Sequence, residues 1–160
     1  MNTKDFLTLL SVSLLWGASF LFLRLLVLDG LEPLQIVSIR MILAALFITP
    51  FFIRKMKKHS FYEHGFSFLL IGLLNTALPF TMFAYASVSL GAGSLSILQA
   101  TVPILTALIL FTLYKGEFSY FKLSGVMIGF AGLFLLVGPS GNLYLFASIL
   151  CLVASLSYAI

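Results

Sequence analysis

Residues 6–28 read FLTLLSVSLLWGASFLFLRLLVL. Arg24 is the one charge in that stretch, and the length suits a helix crossing a hydrocarbon core of about 30 Å. The run is too long for the apolar region of a secretory leader, and no small-x-small cleavage site closes it. It is therefore read as a retained first transmembrane helix. Four further segments of the same kind follow, at roughly 34–53, 66–88, 94–114 and 122–137. A sixth starts near Leu143 and is cut off at Ile160. Turn-forming residues fill the connections: Asp29-Gly30 with Glu32-Pro33, then Gly91 and Gly93, then Gly116, then Gly138-Pro139-Ser140-Gly141-Asn142. The expected fold class is an all-α integral membrane protein with five complete transmembrane helices and a truncated sixth.

Composition excludes the soluble alternative. Apolar residues make up 61% of the 160-residue chain and charged residues 9%, and the mean hydropathy is +1.16. A soluble domain carries about 25% charged residues, and one of this size could not hide so much apolar surface from water. The lipid bilayer removes that conflict and is the first partner implied. The single Cys151 excludes an intrachain disulfide and reads as a small packing residue.

The net charge of +4 does not indicate nucleic acid, because the basic residues sit in short loops between apolar runs. Lys4 precedes the first span, Arg54, Lys55, Lys57 and Lys58 fill the second connection, and Lys115 and Lys122 flank the fourth. The other three connections hold no Lys or Arg. The positive-inside rule then places the N-terminus in the cytoplasm of a multi-pass cell-membrane protein. Tyr62, Tyr114, Tyr120 and Tyr144 fall near span ends, as an interfacial aromatic belt requires.

A weak internal repeat is visible. Residues 10–18 read LSVSLLWGA and residues 152–160 read LVASLSYAI, which matches Ser13 with Ser155 and Trp16 with Tyr158. An odd number of spans per unit makes the second copy enter from the opposite side, giving an inverted repeat of the kind built into many secondary transporters. On that basis residues 1–142 form a first five-helix repeat, and residues 143–160 are the truncated first helix of a second.

Polar residues at membrane depth are the site candidates. Pro79 and Pro103 each remove a backbone N–H, and the carbonyls they free belong to Asn75 and Gln99, four residues earlier. These amides, with their prolines, either contact substrate in a water-filled cavity or back-fill the helix break and bond a neighbouring helix. Arg40 lies well inside the second span, where a charge normally faces the bundle interior. Arg24 is expected to reach the outer surface or to pair with Asp29 or Glu32. Trp16 sits at the midpoint of its span on one stripe with Ser13, Phe20 and Arg24, which suits either a cavity wall or interhelical packing. Gly125, Gly129 and Gly132 share a face of the fifth span and are helix-packing candidates. His59 and His64 have no companion at metal-ligand spacing, so no metal is expected.

The chain contains no Gly-x-Ser-x-Gly, P-loop or His-Glu-x-x-His motif, and no Asp or Glu lies within a span. These patterns point to no enzyme and no cofactor, and they supply no intramembrane proton-carrying carboxylate.

Several stretches resemble the EamA-like members of the drug/metabolite transporter superfamily: LLWGASF at 14–20, IRMILAAL at 39–46, ATVPILTALIL at 100–110, KGEFS at 115–119 and SGVMIGFAGLFLLVG at 124–138. The resemblance implies ten helices in two inverted five-helix repeats, cytoplasmic termini, and export of amino acids, related metabolites or drugs through a central cavity. The positions matching the family pattern are Trp16, Gly17, Arg40, Pro103 and Glu117. Phe118 stands where the family usually has a basic residue, and almost all of the second repeat is absent. Two functional readings follow. One is the N-terminal part of an alternating-access exporter of a small-molecule substrate, completed by the missing repeat or by a dimer partner. The other is a non-transporting fragment or membrane subunit that acts by helix association. The small multidrug resistance proteins, which work as dimers, rely on a glutamate in the first helix, and this chain has none there.

Overall fold

The computed structural model describes residues 2–55, 58–113, 120–137 and 142–159. The readings of Tyr114, of KGEFS with Lys115, Gly116, Glu117 and Phe118, of Lys57 and of 138–141 fall outside the described residues. So do the side chains of Lys58, His59, Tyr62, Tyr120, Lys122 and Tyr144.

Every regular element among the described residues is helical: α1 Thr3–Leu28, α2 Pro33–Lys55, α3 Lys58–Gly72, a π-helical turn Leu73–Ala77, α4 Leu78–Ala86, α5 Ala92–Gln99, α6 Val102–Leu113, α7 Tyr120–Val137 and α8 Asn142–Ala159. Four continuous or near-continuous stretches are long and apolar enough to cross a membrane: Thr3–Leu28, Pro33–Lys55, His64–Ala86 and Ala92–Leu110. The helices at the expected fifth and sixth positions, α7 and α8, are 18 residues each.

The first hairpin shows local chemistry fixing a reversal. Gly30 stands at φ +92, a left-handed conformation that glycine adopts without a Cβ penalty. Its N–H donates to Val27 O, and the Leu31 N–H donates to Leu26 O, the two bonds that close a Schellman cap. α2 then begins with Pro33, and the Gln35 side chain accepts from the Glu32 N–H at 3.2 Å. That bond is one half of a capping box.

The core lies at the end of the bundle where this hairpin turns. Phe20 and Leu23 of α1, Ile36 and Val37 of α2, Phe83, Ala84 and Ala86 of α4, and Leu95 and Leu98 of α5 are all buried there. At the opposite end α1 is exposed from Asn2 to Gly17 and α2 from Ile42 to Lys55. Leu15 and Phe47, each 74% exposed, would aggregate the chain in water. In hydrocarbon they match the solvent.

α8 packs against α4, α5, α6 and the π turn. Its Ala147, Cys151 and Ala154 are buried, and small side chains at that spacing let helix backbones approach closely. Cys151 is a free thiol within this stripe.

The two proline-bearing spans differ from the expected simple kinks. Before Pro79 the backbone widens into a π turn, in which the Leu78 N–H bonds Leu73 O. In that five-residue register the carbonyl facing Pro79 belongs to Leu74 rather than to Asn75. It accepts instead from the Ser157 hydroxyl of α8. The fourth span is broken outright at Ala100 and Thr101, between α5 and α6, so Pro103 sits in the first turn of a new helix, where a missing N–H is harmless. The carbonyl carrying the extra bonds is Leu98 rather than Gln99. It accepts from Thr101 Oγ1 at 2.6 Å and from Ser155 Oγ of α8 at 3.2 Å. Residues two apart on a helix point in nearly opposite directions, so α8 is wedged between the two broken spans with one hydroxyl on each.

Interhelical hydrogen bonds in membranes average about 0.6 kcal/mol and reach about 1.7. Ser155→Ala and Ser157→Ala are each expected to lose about 1 kcal/mol of stability in detergent unfolding titrations, Ser157→Ala the more because Leu74 O has no second hydroxyl partner. Gly30→Ala should lose a similar amount, about 1 kcal/mol, through backbone strain.

Candidate substrate cavity

Two adjoining cavities open between α1, α2, α4, α5 and α8. The inner one, about 250 Å³, is bounded by Val12, Leu15, Trp16, Ser19, Phe20, Leu23, Arg40, Phe80, Phe83, Gln99 and Tyr158. The outer one, about 620 Å³, is more open and shares Val12, Trp16, Phe20, Gln99 and Tyr158 with the first, adding Ser13, Gly17, Ser96 and Pro103. Small-molecule sites have this form: mostly apolar walls with a few convergent polar groups.

Each polar group is held by the helix architecture. Trp16 Nε1–H donates to Gln99 Oε1 at 3.0 Å, joining mid-α1 to the last residue of α5. Arg40 Nη2 donates to Ser19 Oγ at 2.9 Å, and its guanidinium carbon lies 4.9 Å from the centre of the Phe80 ring, within cation–π range. Phe20 and Phe83 meet edge to face at 5.5 Å, with ring planes at 69°. They lock α1 to α4 behind the cavity. The hydroxyl oxygen of Tyr158 is buried and has no hydrogen-bond partner among the described residues.

Four of the sequence candidates therefore come together: Trp16, Arg40, Gln99 and Pro103. Asn75 and Pro79 line neither cavity. Pro79 is buried against the bundle, and Asn75 stands exposed on the π turn. Gln99 does not back-fill its own helix break, since its side chain bonds Trp16. Arg24 makes no ion pair with Asp29 or Glu32. It donates to the carbonyl oxygens of Ser87 and, at 2.9 Å, Val88. A cation at the α4 C-terminus satisfies orphan carbonyls and complements the helix dipole. Of the three glycines on α7, a Cβ at Gly129 would meet Ile104 Cδ1 at 2.7 Å, whereas Gly125 and Gly132 have nothing within 4 Å. Among the described residues no cluster of three His, Cys, Asp or Glu could hold a metal. Ser19, Phe80 and Tyr158 are cavity residues that sequence reasoning did not single out. The one available signal was the internal repeat, in which Tyr158 matches Trp16.

A family model described as the EamA-like transporter family matches residues 4–138. The chain belongs to that family. An uncharacterized transporter of Archaeoglobus fulgidus is 33% identical over 153 residues, covering 92% of this chain and 50% of that protein. A second from the same organism is 27% identical over 130 residues, covering 81% and 39%. Uncharacterized transporter YoaV of Bacillus subtilis is 27% identical over 163 residues, covering 98% and 55%. The chain thus spans about half the length of these curated relatives. No solved structure matches it significantly. This EamA-like chain is a multi-pass membrane protein of a transporter family and not an enzyme.

Trp16 is the only tryptophan, so its emission reports on the cavity alone. Gln99→Leu is expected to shift Trp16 emission to the blue, as the indole loses its polar partner, and Asn75→Leu to leave it unmoved. Arg24→Met should cost about 1–3 kcal/mol by leaving the Ser87 and Val88 carbonyls unsatisfied, measured by detergent unfolding.

Proposed function

We propose that the chain forms the first half of a secondary transporter that exports small metabolites, amino acids and drugs among them, by alternating access. One observation carries this reading. The inner cavity gathers Trp16, Arg40, Gln99 and Tyr158 within an apolar shell, at the level where the fourth span is broken. Discontinuous helices at the site are a recurring feature of transporters built from inverted repeats.

In this reading residues 1–142 are one five-helix repeat, and α8 is the first helix of the second. The N-terminus is cytoplasmic, in keeping with basic residues at Lys4 and Arg54–Lys58 and none at the opposite turns. The exposed halves of α1 and α2 are the surfaces that the missing repeat, or a dimer partner, would cover. Alternating access then needs the inner cavity to communicate with each side in turn. Because α8 touches both broken spans, a rocking of the second half would act directly on them.

The test is flux in proteoliposomes containing the full-length protein, screened against amino acids and related metabolites. Gln99→Leu and Trp16→Leu are each expected to lower the transport of accepted substrates about fivefold or more, the equivalent of one lost hydrogen bond. Asn75→Leu, outside both cavities, is expected to retain it. Unchanged flux in both cavity variants for every substrate would remove this assignment.

A further inference from the structure

We propose that the inner cavity binds an organic monoanion, a carboxylate carried on an apolar or aromatic body, with the Arg40 guanidinium as its counter-ion. This rests on the transporter reading and narrows its substrate class.

The argument begins with an unbalanced charge. Arg40 lies within α2, and among the described residues no Asp or Glu side chain lines the inner cavity. A guanidinium offers five N–H donors. Among the described residues Arg40 uses one, to Ser19 Oγ, and sets its plane near the Phe80 ring. A ring face attracts a cation but does not neutralise it. A charge held at membrane depth without a counter-ion is expensive, and a bound anion removes that cost.

The neighbouring polar groups point to the same ligand. Tyr158 presents a buried hydroxyl with no hydrogen-bond partner among the described residues. Tryptophan can only donate, so Gln99 must turn its oxygen to Trp16. Its amide N–H groups are left without an acceptor among the described residues. The Ser19 hydroxyl oxygen is already engaged by Arg40. The cavity is therefore rich in donors and poor in acceptors, the complement of a carboxylate. Its remaining wall, Leu15, Phe20, Leu23, Phe80 and Phe83, fits an apolar or aromatic body. Among the described residues no lining side chain is a carboxylate, so an ammonium group would meet the Arg40 charge with nothing there to offset it. The deaminated acid is favoured over the corresponding zwitterionic amino acid.

The single Trp16 in the wall supplies the readout. The 160-residue chain in lipid nanodiscs is titrated with 3-phenylpropanoate, 3-phenylpropanamide, phenethylammonium and L-phenylalanine while Trp16 emission is followed. The carboxylate is expected to give a saturable change. The neutral amide, the cation and the zwitterion should bind roughly tenfold or more weakly, the equivalent of one charge-assisted hydrogen bond. Arg40→Gln should erase the preference of carboxylate over amide, and Arg40→Lys should keep part of it. If Arg40→Gln does not fold, judged by helical circular dichroism, Arg40→Lys and the ligand series decide alone. Equal affinities across the four probes, or no saturable change with the carboxylate, overturn the proposal. Binding is read without transport, so such a failure leaves the transporter reading standing. Selective binding together with absent flux in proteoliposomes would fault that reading instead.

Discussion

A backbone carbonyl in hydrocarbon must have a hydrogen-bond partner, and two spans of this protein break their own ladders. A lone orphan at membrane depth is costly, with no water to accept the debt. A serine hydroxyl on α8 reaches a carbonyl at each place: beside the π turn it meets one facing the proline, and at the break it adds to the bond that the Thr101 N–H already makes. Ser157 serves Leu74 beside the π turn, and Ser155 joins Thr101 on Leu98 at the α5–α6 break. The position of α8, and with it the shape of the cavity, follows from those two bonds and from the small residues that let α8 come close.

The broken spans also explain why polar side chains gather where they do. An uninterrupted fourth helix would carry Gln99 in mid-ladder. Ending α5 at Gln99 puts its amide opposite Trp16 instead. Arg24 shows the same economy on the other side of the bundle, using its charge to close the end of α4 where Ser87 and Val88 expose their carbonyls. Arg40 differs from Arg24 in this respect. Among the described residues its hydrogen-bond partner is one hydroxyl and its ring contact one aromatic face, so it keeps unused donors facing a cavity.

The end-to-end asymmetry of the bundle has a physical reading as well. Aromatic and aliphatic side chains interlock at the hairpin end, with Phe20 against Phe83 and Ile36 and Val37 behind them. Towards the basic loops the first two helices stand apart from their neighbours. The EamA-like relatives are about twice as long as this chain.

The sequence by itself determined the membrane class, the helical fold and the family. Each depends on local properties that survive without neighbours: run length, loop charge, and turn residues such as Gly30 and Pro33. It also marked Trp16, Arg40, Gln99 and Pro103, because polarity within an apolar run is visible in one dimension. It placed Asn75 among them by the same logic, since Asn75 and Gln99 precede their prolines at the same spacing. Only the tertiary structure separated the two. A missing N–H can be absorbed by widening the helix or by ending it, and the choice depends on what the neighbouring helix offers. Tyr158 joined the site for the same reason, since no local rule foretells which face of α8 turns inward once its serines are drawn to two distant carbonyls.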